Sequence, residues 1–166
     1  ALIPEFNLYE EYWKIYTQTD NPAPQFISTH SHVERSVISE GCEIHGEIYN
    51  SIIGAGVTVE HGAVISDSII MANTVVGENT HIDQAVIAEN VEIGKDCVIG
   101  TGEYQDSVYD SRVYCSDLAT IGENSLIPDG VSIGRNTAIY GKTDLSDYPD
   151  RFLQSGGAII REDERL

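Results

Sequence analysis

Three histidines, His45, His61 and His81, stand in the middle of the chain, each close to a glycine or asparagine that marks a turn. An imidazole titrates near neutrality, so it suits a general base that takes a proton from a hydroxyl or amine acceptor while a thioester is attacked. One of them could serve this chemistry beside a loop from a neighbouring subunit, with residues 101–118 as the candidate loop. The alternative is plain solvation, because His61 and His81 fall where polar corner residues are expected anyway. His30 and His32 lie together earlier in the chain, and their spacing to the others does not suggest a three-histidine metal site. Cys42, Cys97 and Cys115 show no CxxC spacing and no even count, so neither a disulfide framework nor a zinc knuckle is implied. Cys42 and Cys97 read as core thiols, which points to a reduced, cytoplasmic setting.

Motifs for phosphate chemistry are missing. The chain has no GxGxxG, no Walker lysine motif, no GxSxG and no HExxH. It also lacks a glycine-rich GGGxGTRL-type loop, where backbone N–H groups and a basic side chain would meet a nucleotide triphosphate. Lys95, Arg112, Arg135 and Lys142 are scattered and outline no anion pocket. No catalytic, cofactor-binding or metal-ligating residue is therefore assigned, and effector-binding residues remain unknown. Acidic residues outnumber basic ones 27 to 9, a net charge of −18. That field repels nucleic acid and anionic membrane, and carboxylates on turns also keep the chain soluble. No run approaches the roughly 18 apolar residues of a membrane helix, and no signal-peptide pattern opens the chain. The only methionine is Met71, and Ala1-Leu2-Ile3-Pro4 looks like a cut through a longer polypeptide.

The elements that must carry these residues follow an unusual rhythm. The triplets Ser36-Val37-Ile38, Ser51-Ile52-Ile53, Ser68-Ile69-Ile70 and Ala85-Val86-Ile87 recur at nearly constant spacing. Between them, single aliphatics step by five or six: Ile53, Val59, Ile65, Ile70, Val76, Ile82, Ile87, Ile93 and Ile99. A helix repeats every 3.6 residues and a simple strand every two, so neither explains this beat. It fits a hexapeptide solenoid, in which three short strands make one triangular coil. The first aliphatic of each hexapeptide points inward, and a small residue such as Cys42, Val57, Ala63, Thr74, Thr80, Val91 or Cys97 fills the remaining interior. Gly41, Gly56, Gly62, Asn73, Asn79 and Asn90 sit at corners, where left-handed backbone is commonly required.

Three segments result. Residues 1–25 are a non-repetitive linker: Tyr12–Thr17 reads as a short strand, a helix with Phe6, Tyr9, Trp13 and Tyr16 on one face being the alternative. Asn21-Pro22-Ala23-Pro24 is a stiff spacer. Residues 26–140 form the solenoid, interrupted at 101–118, where three tyrosines either cover an edge or offer a contact surface. Residues 141–166 form a C-terminal cap, since open solenoid ends expose unpaired strand edges.

Phe6-Asn7-Leu8-Tyr9, Trp13-Lys14-Ile15-Tyr16-Thr17 and Pro24-Gln25-Phe26-Ile27 together resemble the linker of bacterial glucose-1-phosphate adenylyltransferase (ADP-glucose pyrophosphorylase). Ser36 to Gly46, Asp67 to Asn73, Ile121-Gly122-Glu123-Asn124, Pro128-Asp129-Gly130 and Ser155-Gly156-Gly157 look like that family's coils and tail. The resemblance covers nearly the whole chain. It implies an all-β, left-handed parallel β-helix that follows a catalytic nucleotidyltransferase domain absent from these residues. The intact enzyme would make ADP-glucose and pyrophosphate from ATP and glucose 1-phosphate with Mg²⁺, in glycogen synthesis. This chain is not expected to be an enzyme alone and needs no cofactor. By resemblance its partners are the catalytic domain, the other subunits of a tetramer and a sugar-phosphate or nucleotide effector. Two alternatives stay open. One is a free-standing trimeric acyltransferase using acyl-CoA with His45, His61 or His81 as base. The other is the solenoid of a uridylyltransferase with an attached acetyltransferase half.

Overall fold

The protein is described by a computed structural model covering Tyr12 and residues 22–161. The lead-in strand expected at Tyr12–Thr17 lies, all but its first residue, outside the described residues. From Phe26 onward the chain winds through three parallel sheets, one per side of a triangular coil. Sheet A stacks Phe26–Ile27, Glu43–Ile44, Thr58–Val59, Val75–Val76, Glu92–Ile93 and Leu126–Ile127. Sheet B stacks His32–Glu34, Glu47–Tyr49, Val64–Ser66, His81–Asp83, Val98–Ile99, Ser132–Ile133 and Phe152–Leu153. Sheet C stacks Val37–Ile38, Ile52–Ile53, Ile69–Ile70, Ala85–Ile87, Ala119–Ile121, Ala138–Tyr140 and Ala158–Ile160. The fold is thus an all-β solenoid of hexapeptide repeats.

The inward aliphatics explain the winding. Ile44, Ile53, Ile65, Ile70, Ile87 and Ile93 each have no more than 1% of their surface exposed, and each stacks on its counterpart one coil away. Burying one such side chain is worth about 1.5–3 kcal/mol. Cys42 and Cys97 lie in the same core as free thiols, and burial pushes both of them up from the usual thiol range. The Cys42 S–H donates to the Gly54 carbonyl at 3.0 Å, and that of Cys97 to the Pro128 carbonyl at 3.2 Å.

The recurring serine of the triplets has a structural role. The Ser51 N–H donates to Ser36 Oγ at 3.1 Å, Ser68 N–H to Ser51 Oγ at 3.1 Å, and Ala85 N–H to Ser68 Oγ at 3.0 Å. Each hydroxyl thereby satisfies a backbone N–H one coil further on, at a corner where the strand ladder has lapsed. Thr74 and Thr80 repeat the device with the N–H groups of Val91 and Cys97. At the other corners Asn73 donates to Asn90 at 3.3 Å and Asn79 to Asp96 at 3.2 Å. Asn73, Asn79 and Asn90 have φ of 58°, 57° and 57°. Arg35 and Gln84 adopt φ of 50° and 49°, although their types do not announce left-handed corners.

The repeat does not stop at Tyr140, where the sequence reading ends it. Phe152–Leu153 pairs with Ser132–Ile133, and Ala158–Ile160 with Ala138–Tyr140, so the tail adds two sides of a further coil. On the third side a 3-10 turn, Leu145–Asp147, replaces the strand. Asp144 caps that turn by accepting from the Ser146 N–H at 2.8 Å, while Asp147 accepts from the Asp144 N–H at 2.8 Å. The Arg161 guanidinium clasps Asp144 at 3.0 Å and Asp147 at 2.9 Å.

Tyr148 closes the apolar interior at this end, 3% exposed, with its O–H donating to Thr143 Oγ1 at 3.4 Å. Burial pushes the Tyr148 phenol up to about 12. An unfolded chain releases this proton near pH 10, whereas the folded chain holds it until about pH 12. The raised value stabilises the fold fully below about pH 10, and that contribution, about 2–3 kcal/mol, is lost as pH rises to 12. Thermal melts across this window are expected to fall less steeply for Tyr148→Phe than for the parent chain. Parallel slopes would show that the phenol is not held in the folded end.

Candidate functional site

The corner joining sheet A to sheet B collects most of the chemistry-bearing side chains. His45, His61, Glu78, Lys95 and Asp129 occupy it on successive coils. The His45 ring lies 4.7 Å from that of His61 and 5.7 Å from Phe26, centroid to centroid. His45 Nε2 is 2.9 Å from the Glu43 carboxylate. The His45 side chain is 19% exposed and Glu43 is 58% exposed, so water screens the pair from one side. This arrangement orients one imidazole.

Further along the same corner, Lys95 Nζ lies 2.7 Å from Glu78 Oε2. The hydrogen bond and the ammonium charge hold Glu78 below the usual carboxylate range, and the Glu78 bond raises Lys95 in turn. Beside the pair runs a groove of about 280 Å³ lined by Glu60, Glu78, Glu92 and Asp129 as well as Lys95. Gly77 and Gly94 form its floor. A Cβ on Gly94 would stand 2.6 Å from the Asp129 nitrogen, so only glycine lets the next coil seat there. Four carboxylates against one paired ammonium repel phosphate.

The other sequence candidates lie apart. His81 stands in a sheet B strand, exposed, with Nδ1 3.2 Å from the Asn79 carbonyl oxygen. His30 is exposed near Thr29, and the His32 ring lies 5.4 Å from that of Tyr49. Among the described residues no group of three His, Cys, Asp or Glu side chains could hold a metal ion. The cations stay separate: Arg112 pairs with Asp110 at 3.1 Å inside the insertion, Arg135 donates to the Gly100 carbonyl at 3.2 Å, and Lys142 is exposed.

Residues 101–118 leave the coil between sheets B and C and fold back along that corner. The Val108 N–H donates to the Gly156 carbonyl at 2.8 Å. Asn136, fully buried, accepts from the Asp117 N–H at 2.8 Å and donates to the Gln105 carbonyl at 3.0 Å. Tyr104, Val108, Tyr109 and Val113 remain 55–76% exposed, and the rings of Tyr109 and Tyr114 meet at 6.0 Å. The insertion is thus an anchored, partly apolar projection rather than a covering flap. Sequence reasoning missed Asn136 as its anchor; Ile133-Gly134-Arg135-Asn136 repeats the spacing of Ile121-Gly122-Glu123-Asn124 and so reads as one more corner asparagine.

Comparison with known proteins agrees with this architecture. A family described as GlmU-like, C-terminal hexapeptide matches residues 22–110. Glucose-1-phosphate adenylyltransferase of Lachnospira eligens is 51% identical over 160 residues, 96% of this chain and 38% of that protein. That of Acetivibrio thermocellus is 36% identical over 162 residues, 98% of this chain and again 38% of that protein. The chain therefore spans about two fifths of the length of these relatives, in their C-terminal part. The crystal structure of a proposed acetyltransferase from Desulfovibrio desulfuricans G20 aligns over 85% of this chain and 27% of its own, with TM-score 0.55 and 14% identity. That likeness concerns the fold alone. Because the coils are hexapeptide coils and more than half of the residues match, the chain belongs to the GlmU-like, C-terminal hexapeptide family and is similar to the C-terminal part of glucose-1-phosphate adenylyltransferases.

Proposed function

We propose that this chain is the oligomerisation and allosteric-regulatory β-helix part of an enzyme that makes ADP-glucose from ATP and glucose 1-phosphate for glycogen synthesis. The single observation that carries the reading is the 51% identity, over 96% of the chain, to the adenylyltransferase of Lachnospira eligens. The acidic corner groove is in keeping with it, since nucleotide and Mg²⁺ would be held by the other part of the polypeptide. On this reading the solenoid acts by conformation. A rigid stack presses on the catalytic part, and an effector at their junction shifts the balance between states of different activity. The whole enzyme works in the cytoplasm as a tetramer.

The test compares the full-length protein with this chain alone, each given ATP, glucose 1-phosphate and Mg²⁺. The full-length protein is expected to release pyrophosphate and the chain alone to release none above background. Sugar phosphates are expected to alter the full-length rate by about fivefold or more, the ordinary scale of allosteric coupling. Acetyl transfer from acetyl-CoA by the isolated chain, lost on replacing His45 or His61 with alanine, would overturn the reading in favour of an acyltransferase.

A further inference from the structure

The five histidines all fall among the described residues, and only His45 and His61 bring their rings into contact with each other. Each of the two is followed by a glycine, Gly46 and Gly62. A Cβ on Gly46 would overlap the Ala63 carbonyl oxygen, so glycine there lets the two coils close up, and Gly62 turns its corner with φ of 73°. The imidazoles thus reach one edge of the solenoid from successive coils, 4.7 Å apart between centroids. Phe26, from the coil before, lies 5.7 Å from His45.

The partners of each ring decide which nitrogens are free. His45 Nε2 lies 2.9 Å from Glu43 Oε1, which places the ring proton on Nε2 and leaves the lone pair on Nδ1. A carboxylate that receives the outer N–H of an imidazole is the usual support of a metal-ligating histidine, because it fixes the tautomer and raises the basicity of the other nitrogen. The His61 side chain is exposed and its ring makes no hydrogen bond among the described residues, so it can turn to present either nitrogen. Bonds of about 2.0–2.1 Å set two imidazole nitrogens about 3 Å apart on one tetrahedral ion. Rings already 4.7 Å apart reach that separation by a turn of His61 alone. The local field favours a cation. Glu60 precedes His61, Glu78 lies on the next coil, and the Lys95 ammonium is tied to Glu78 at 2.7 Å. Imidazole nitrogen selects late first-row ions over Mg²⁺, which takes oxygen ligands.

We propose that His45 Nδ1 and the His61 ring bind a late first-row divalent cation of the Zn²⁺ class between two coils, with Glu43 supporting His45 and water at the remaining positions of the ion. The ion clips one coil to the next, and the site does not depend on the functional proposal above. The test titrates the metal-free full-length protein with ZnCl₂ by calorimetry at about pH 7.5, where imidazole is mostly neutral, in the presence of excess Mg²⁺ to fill oxygen sites. Loss of a supporting partner alone costs about ten- to a hundredfold in affinity, so His45→Ala and His61→Ala are each expected to weaken Zn²⁺ binding at least about tenfold. Glu43→Ala weakens it less, because its carboxylate is 58% exposed and screened by water, and His81→Ala leaves it unchanged. Zn²⁺ also raises the melting temperature of the parent protein and not that of His61→Ala, whose exposed side chain the fold does not need. Acidification to about pH 5.5 protonates both rings and releases the ion. Zn²⁺ affinity that survives either His45→Ala or His61→Ala overturns the proposal. A parent protein that takes up no Zn²⁺ beside excess Mg²⁺ overturns it as well.

Discussion

Gly100→Ala is expected to lower the melting temperature by about 8–16 °C. Gly100 has φ of +83°, and a Cβ there would overlap the Asp83 carbonyl oxygen. That oxygen belongs to the backbone of the previous coil and cannot swing aside. Gly100 is also held from the next coil, donating to the Ile133 carbonyl at 2.9 Å and accepting from Arg135 Nε at 3.2 Å. The left-handed conformation costs alanine about 1–2 kcal/mol, and displacing packed backbone adds about 1–3 kcal/mol. A total near 4 kcal/mol corresponds to about 8–16 °C in a domain of this size. Gly130→Ala is the control. Its φ is +70°, but its Cβ would meet only the tip of Arg151, at 3.3 Å, so the conformational cost stands alone and the expected drop is about 2–8 °C. Circular dichroism melts of the two variants decide the matter. Equal drops would mean that backbone conformation alone, and not the approach of the coils, sets the penalty.

Asn136→Ala should release the insertion. The Asn136 amide is the bolt through residues 101–118, holding Gln105 near their start and Asp117 near their end. Alanine removes both of these partly buried hydrogen bonds, at about 0.5–1.5 kcal/mol each, and must also adopt the φ of 52° found at this position. If about 2 kcal/mol of this falls on local opening, cleavage by trypsin after Arg112 quickens about thirtyfold. Asn136→Asp keeps the acceptor for Asp117 and loses only the donor to Gln105, so its cleavage rate is expected between the two. A lower melting temperature with unchanged cleavage at Arg112 would show that Asn136 supports the stack and not the insertion.

The inward aliphatics were legible in the sequence because a step of five or six has one physical source, a three-sided coil. Ile53, Ile65 and Ile87 occupy the interior as their spacing predicts. The corners were legible only in part. Asn73, Asn79 and Asp67 are of types that tolerate a left-handed backbone, whereas Arg35 and Gln84 adopt it at the same kind of corner without that signal. The tail escaped for a reason of spacing. Ile133 pairs with Leu153 and Ile139 with Ile159, each a longer offset than the pairing of Ile53 with Ile70, because the 3-10 turn takes up more chain than the strand it replaces. The insertion misled differently: Ile87 pairs with Ile121, twice the offset between Ile70 and Ile87, so the extruded loop is as long as an ordinary coil.

At the candidate site the three histidines read alike in sequence but separate in space. His45 and His61 are about one coil apart and return to one corner, while His81 lies beyond the equivalent place on the next coil and falls on the adjoining face.

The hydroxyl and amide ladders have a consequence for length. Ser51, Ser68, Thr74 and Asn73 each hand one bond to the equivalent residue of the next coil, so every coil ends in the same orientation in which it began. Removing one whole repeat would bring the ladder partners of the flanking coils together again. The two ends would draw closer by about 4.8 Å while facing nearly the same directions. The stack is in this sense a ruler with fixed graduations, along which evolution can move whatever is attached at either end by whole marks but not by fractions.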